Sequence, residues 1–156
     1  STDVVLIDQH GEPKRLYSDL LKGKVVVVDA FYATCNGVCP LMTEKLAGLQ
    51  SWLGDRLGKD VYLLSLTVDP ETDTPEKLRQ YAARVKARPG WFFLTGKKEN
   101  VDWALYRLGQ YVESKDDHTN ILIMGNEATG LWKKVVGLAP PQDLVRSLDA
   151  LLHDRG

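Results

Sequence analysis

Two stretches of the chain are apolar at nearly every position rather than at alternate ones. Residues 24–31 (KVVVVDAF) and 61–68 (VYLLSLTV) are rich in β-branched and aliphatic side chains, which predicts strands covered on both faces. Between them Met42, Leu46, Leu49, Leu53 and Leu57 recur at spacings of four, three, four and four, a single apolar stripe at helical period. Strand, helix and strand in that order predict a right-handed βαβ crossover. Thr74-Pro75-Glu76 reads as an N-cap followed by proline at the first helical position, opening a helix that buries Leu78, Tyr81, Ala82 and Val85. Arg88-Pro89-Gly90 ends that helix, and residues 91–94 (WFFL) form the next strand. A third helix fits residues 99–109, with Val101, Leu105 and Leu108 inward. Residues 119–124 (TNILIM) and 131–136 flank a turn-forming segment, 125–130, and read as an antiparallel hairpin. A last helix follows Pro140-Pro141 and buries Leu144, Leu148 and Leu151. At the start, residues 4–7 form a short apolar strand that runs into a turn at residues 8–11 (DQHG).

These elements predict one α/β domain over residues 1–156, with no internal repeat and no linker. A parallel βαβ unit closed by a hairpin and a terminal helix is the thioredoxin-type arrangement. The expected fold is therefore thioredoxin-like: a central mixed sheet flanked by helices, with an N-terminal strand extension. Charge narrows the function. Twenty basic and 21 acidic side chains give a formal net charge of -1, so no positive field exists to attract nucleic acid. The purely apolar run at residues 25–28 is far too short to span a bilayer. The chain opens Ser-Thr-Asp rather than on methionine and carries no signal-peptide pattern, which leads us to expect an upstream anchor or leader.

The two cysteines are the most informative residues. Cys35-Asn36-Gly37-Val38-Cys39-Pro40 follows the first buried strand and opens the first helix. In an open α/β sheet ligands bind beyond the carboxyl ends of the strands. A helix N-terminus there stabilises thiolate over thiol. Residues i and i+4 face the same way on a helix, so the two sulfurs could converge on one ion or close a disulfide. Soft thiolates select copper(I) or zinc, and two of them rarely complete a site. Among the three histidines, His10 lies in an early turn and His153 near the C-terminus, both in solvated settings. His118 directly precedes a predicted strand, at the place where thioredoxin-type folds set a cis-proline facing the cysteines; no proline stands there in this chain. An imidazole at that position would look across at Cys35 and Cys39. Met42 and Met124 are soft donors by chemistry but fit core positions. Trp52, Trp91, Trp103 and Trp132 are dispersed, and Lys97-Lys98 and Lys133-Lys134 read as solvated faces.

Several segments resemble the Sco/SenC family of copper-binding assembly factors. Asp8-Gln-His-Gly-Glu-Pro13 and the lead-in at residues 20–28 (LLKGKVVVV) match its usual opening. Phe31-Tyr-Ala-Thr-Cys-Asn-Gly-Val-Cys-Pro40 is similar to its F-x-x-T-x-C-x-x-x-C-P region. Thr67-Val-Asp-Pro-Glu-Thr-Asp-Thr-Pro75 resembles V-D-P-x-x-D-T, Leu94-Thr-Gly96 resembles L-T-G, and Asp117-His118-Thr119 resembles D-H-[ST]. The resemblance covers nearly the whole chain and keeps the motifs in order. It implies a thioredoxin-like domain tethered in the bacterial periplasm or the mitochondrial intermembrane space. It also implies copper, as Cu(I) or Cu(II), held by Cys35, Cys39 and His118. Asp69 is an auxiliary candidate, and Asp117 would orient the histidine. The implied role is a metallochaperone that loads the copper centre of cytochrome c oxidase, its partner being the copper-accepting subunit or another periplasmic copper protein.

This chain departs from the family pattern at Asn36, where proline is common after the first cysteine, and at Ala33; its loop between Tyr111 and His118 is short. The competing reading is a thiol–disulfide reductase, with Cys35 and Cys39 as its catalytic pair, keeping a partner's metal-site cysteines reduced. Phe31-Tyr-Ala-Thr-Cys35 also has a faint likeness to peroxiredoxins, but the proline and spacing of that motif are missing. We expect a periplasmic, monomeric protein without nucleic-acid partners and with no membrane span in this chain.

Overall fold

A computed structural model describes all residues except Ser1, Thr2, Asn36, His118 and Thr119, and except the side chain of Val38. The two all-apolar stretches are strands β3 (Val25–Phe31) and β4 (Val61–Thr67), parallel and in register from Val25 opposite Val61 to Phe31 opposite Thr67. Helix α1 (Val38–Leu53) joins them, as the expected crossover requires. Strand β5 (Trp91–Leu94) extends the sheet on the β4 side. On the other side β3 pairs antiparallel with β6 (Ile121–Asn126), and β6 with β7 (Leu131–Val136). The order β5-β4-β3-β6-β7 is the mixed, thioredoxin-like sheet expected from the sequence.

Every residue of β3 is buried because helices cover both faces. Val25, Val27 and Phe31 face a core with Met42, Leu46 and Leu49 of α1, Leu78 of α2 (Pro75–Arg84) and Leu148 of α4 (Pro141–Leu152). Val26, Val28 and Ala30 face a second core with Val101 and Leu105 of α3 (Lys98–Arg107) and with Leu16 and Leu20. Met42 and Met124 are core side chains, 1% and 0% exposed. Thr74 caps α2 as expected, its hydroxyl oxygen accepting the Lys77 N–H at 3.3 Å.

Four boundaries differ from the sequence reading. The N-terminal extension is a ribbon, β1 (Val5–Ile7) with β2 (Pro13–Arg15), that meets the main sheet at the Ile7–Thr95 bridge and through the Gln9 side chain, which bonds the Trp91 carbonyl and the Phe93 N–H. Polar PKR carries no strand signal, and the buried carboxylate of Asp8 shapes the turn by accepting from the His10 and Glu12 N–H groups. Leu16–Leu21 forms a short π-type helix whose leucines cap the second core. The apolar stripe outruns its helix: α1 ends at Leu53, and Leu57 reaches the core from beyond a tight turn. Strand β6 continues through Gly125 to Asn126, which narrows the hairpin turn to residues 127–130. Gly125 belongs in the strand because a Cβ there would sit 2.3 Å from the Trp132 ring. No helix among the described residues is long and apolar enough to cross a membrane.

Candidate metal centre

Strand β3 ends at Phe31 and the chain turns at once, the Cys35 N–H donating to the Tyr32 carbonyl at 3.0 Å. Helix α1 begins three residues after Cys35, so Cys35 lies in the turn and only Cys39 lies in the helix, in its first turn. The expected i, i+4 pair on one helix is replaced by a sulfur placed before the helix N-terminus and one just inside it. Both are free thiols, Cys35 partly exposed and Cys39 1% exposed.

This placement divides their chemistry. Desolvation raises the Cys35 pKa, but hydrogen bonds from the Cys39 thiol, the Cys39 and Gly37 N–H groups and the Tyr32 hydroxyl outweigh it, leaving the pKa below the ordinary thiol value. Burial pushes Cys39 far up, and its donation to Cys35 and the nearby charges of Cys35 and Asp29 push the same way. One accessible thiol of lowered pKa is thus backed by one buried proton-holding thiol. Tyr32 is pushed up to about 12, first by desolvation and then by the charge of Cys35 and the hydrogen bond it donates there.

The turn is held from below. Asp73, 1% exposed, accepts the Ala33 N–H at 3.1 Å and the Thr67 hydroxyl at 2.7 Å through one carboxylate oxygen. The Thr67 oxygen accepts in turn from the Asp69 N–H at 2.9 Å. The V-D-P-x-x-D-T stretch therefore works as a brace for the cysteine turn, a role the sequence reading gave to none of its residues. Replacing Asp73 with Ala leaves the buried Thr67 hydroxyl and the partly buried Ala33 N–H without their acceptor and should lower stability by about 3 kcal/mol. Urea unfolding measures this, and an unchanged midpoint would remove Asp73 from the brace.

Asp69 stands just past β4, its carboxylate 3.1 Å from Lys115 Nζ. Lys115 also lies 5.1 Å over the Tyr32 ring, and the Tyr32 hydroxyl is 3.3 Å from Asp116 Oδ1. Asp117 is exposed, in the short turn Lys115–Asp117. His118 lies outside the described residues, and among the described residues no three His, Cys, Asp or Glu side chains group as a metal site. His10 and His153 are both exposed. Beside Cys35 a cleft of about 500 Å³ opens between α1 and α2, lined by Ala33, Pro40, Thr43, Tyr81 and Val85. Sequence reasoning missed Tyr32, Gln110 and the Lys115–Asp116 pair, because their contacts span from 11 to 84 residues of chain.

The chain is similar to known proteins in sequence and in fold. Over 117 residues the chain is 34% identical to a SCO1 protein homolog of Bacillus subtilis, covering 73% of this chain and 60% of that protein's length. It thus spans under two thirds of the relative it matches. Among solved structures it superposes on BsSco, a member of the Sco family of cytochrome c oxidase assembly proteins with a disulfide switch. That match has TM-score 0.76 and 27% identity, and covers 97% of this chain and 92% of the other. The copper-bound ScoI of Bradyrhizobium japonicum shares the fold, with TM-score 0.77 and 24% identity over 95% of this chain and 96% of the other. Residues 2–153 match the SCO1/SenC family, and the chain belongs to it.

Proposed function

We propose that this protein is a copper chaperone that binds one copper ion through Cys35, Cys39 and His118 and passes it to the copper-accepting subunit of cytochrome c oxidase. The observation that carries this reading is the pair of free thiols at a helix N-terminus, Cys35 just before it and Cys39 in its first turn. Two soft sulfur donors suit copper(I), and hydrogen bonds at the turn favour the ionised form of Cys35. An imidazole as third donor extends the site to copper(II). Asp69 serves as an auxiliary group, and Asp117 as the acceptor that orients His118. Thiols that cycle between free and metal-bound forms suit an oxidising compartment such as the periplasm, with an anchor upstream of this chain.

A second reading has its own support. An accessible low-pKa thiol backed by a buried one is what thiol–disulfide exchange requires, with Cys35 attacking and Cys39 resolving. Anaerobic titration of the reduced protein with copper(I) and copper(II), alongside Cys35→Ala, Cys39→Ala and His118→Ala, separates the two. One equivalent of each ion, lost or weakened in every variant, is expected. Negligible uptake with rapid exchange against a disulfide substrate, indifferent to His118→Ala, would replace the chaperone with a reductase.

A further inference from the structure

The segment at residues 110–117 leaves α3 and runs to the cysteine turn. Its start is fixed by Gln110, 5% exposed, whose side-chain amide donates to the Val28 carbonyl at 3.0 Å and the Ile121 carbonyl at 2.9 Å. Its far end is held twice: Lys115 pairs with Asp69 while lying over the Tyr32 ring, and Asp116 meets the Tyr32 hydroxyl. Tyr32 is itself part of the cysteine turn, its carbonyl accepting the Cys35 N–H at 3.0 Å. Both far-end contacts therefore converge on one side chain of the cysteine turn. Exposed pairs of this kind contribute little stability singly, so their consequence is positional.

A phenol has one O–H proton to donate, and the Asp116 carboxylate 3.3 Å away is an acceptor for it, so the loop is tied to Tyr32 without a bound metal. Asp116 is two residues from His118 along the chain, so fixing Asp116 bounds the reach of the next residues to about 7 Å.

We propose that Tyr32 is a positioning residue of the copper site: its hydroxyl, bonded to Asp116, ties the loop leading to His118 to the cysteine turn and so supports copper(II) more than copper(I). The proposal rests on the copper reading above. Two soft thiolates satisfy copper(I), whereas copper(II) draws on nitrogen and oxygen donors as well, so a loosened loop falls mainly on copper(II).

Tyr32→Phe keeps the ring and removes the tether. It should weaken copper(II) by about 10-fold and reduce the sulfur-to-copper(II) charge-transfer band, while copper(I) affinity, read by chelator competition, stays within about 3-fold. Asp116→Ala should reproduce this split, and the double variant should lose no more than either single one. In the metal-free protein, amide hydrogen exchange over residues 113–117 should quicken in each variant. Unchanged copper(II) affinity in Tyr32→Phe, equal loss of both ions, or additive losses would overturn the proposal while leaving the chaperone reading in place. Absence of copper uptake by the unaltered protein would instead sink the chaperone reading and the metal preference together. The exchange measurement still judges the tether itself: an unaltered rate over residues 113–117 rejects it.

Discussion

At pH 7, iodoacetamide should label Cys35 about a hundred times faster than Cys39. Alkylation consumes thiolate and needs access, and the structure separates the two cysteines on both counts. Cys35 is partly exposed, and although desolvation raises its pKa, the hydrogen bonds it accepts carry the net value below that of a free thiol. Cys39 is 1% exposed, and burial holds its proton on. The Cys35 rate should therefore reach its plateau at lower pH than a free thiol's. The largest lowering contribution comes from the Cys39 thiol, so Cys39→Ala should move that plateau to higher pH. Peptide mapping after timed quenching reads both rates. Equal labelling, or faster labelling of Cys39, would contradict the division of roles between an exposed thiolate and a buried proton-holding partner.

Much of this arrangement is legible along the chain because it is written in local patterns. The all-apolar runs gave the two central strands, the leucine stripe gave α1, and Thr74-Pro75 gave the start of α2 to the residue. The N-terminal ribbon failed because Pro13, Lys14 and Arg15 pair through backbone groups and carry no apolar alternation. The hairpin boundary failed because glycine usually signals a turn, whereas Gly125 is in a strand to make room for Trp132. At the site, the cysteines announced themselves by spacing, but the expectation that both sit on the helix missed the turn that separates their chemistry. Asp73 was visible inside a quoted motif, yet its acceptors' partners, Ala33 and Thr67, become neighbours only when β3 and β4 pair. Tyr32 and Asp116 are 84 residues apart and carry no pattern that ties one to the other.

The same central strand carries a charge that its surroundings oppose. Asp29 is 0% exposed, and burial raises its pKa to about 7 despite a 2.6 Å hydrogen bond donated by Ser65. The Ser65 oxygen is itself engaged by the Trp91 indole N–H at 3.0 Å, and Asp29 Oδ2 has no hydrogen-bond partner among the described residues. A carboxyl whose folded pKa lies above its unfolded value binds more protons in the native state between the two. Stability must therefore fall as pH rises through that window, from about 4 to about 7, and stay reduced above it. At 1.36 kcal/mol per pH unit, the loss is about 4 kcal/mol. Asp29→Asn retains an acceptor for Ser65 and removes the charge, but leaves its own buried amide donor unpaired, at a cost of about 1–3 kcal/mol. The variant should be more stable than the unaltered protein by about 2 kcal/mol at pH 8, equivalent to a melting shift of about 6 °C. Toward pH 4 that advantage should vanish, because the unaltered carboxyl is then taking up its proton in the folded and unfolded chain alike. Calorimetry across this range tests the convergence. Parallel pH profiles for the two proteins would mean that Asp29 is solvated or paired in a way this fold does not provide. Profiles that converge at low pH and diverge by pH 8 would show that the chain tolerates a costly charge in the strand leading to the cysteine turn. That charge helps keep Cys39 protonated, and so helps maintain the asymmetry on which the chemistry of the pair depends.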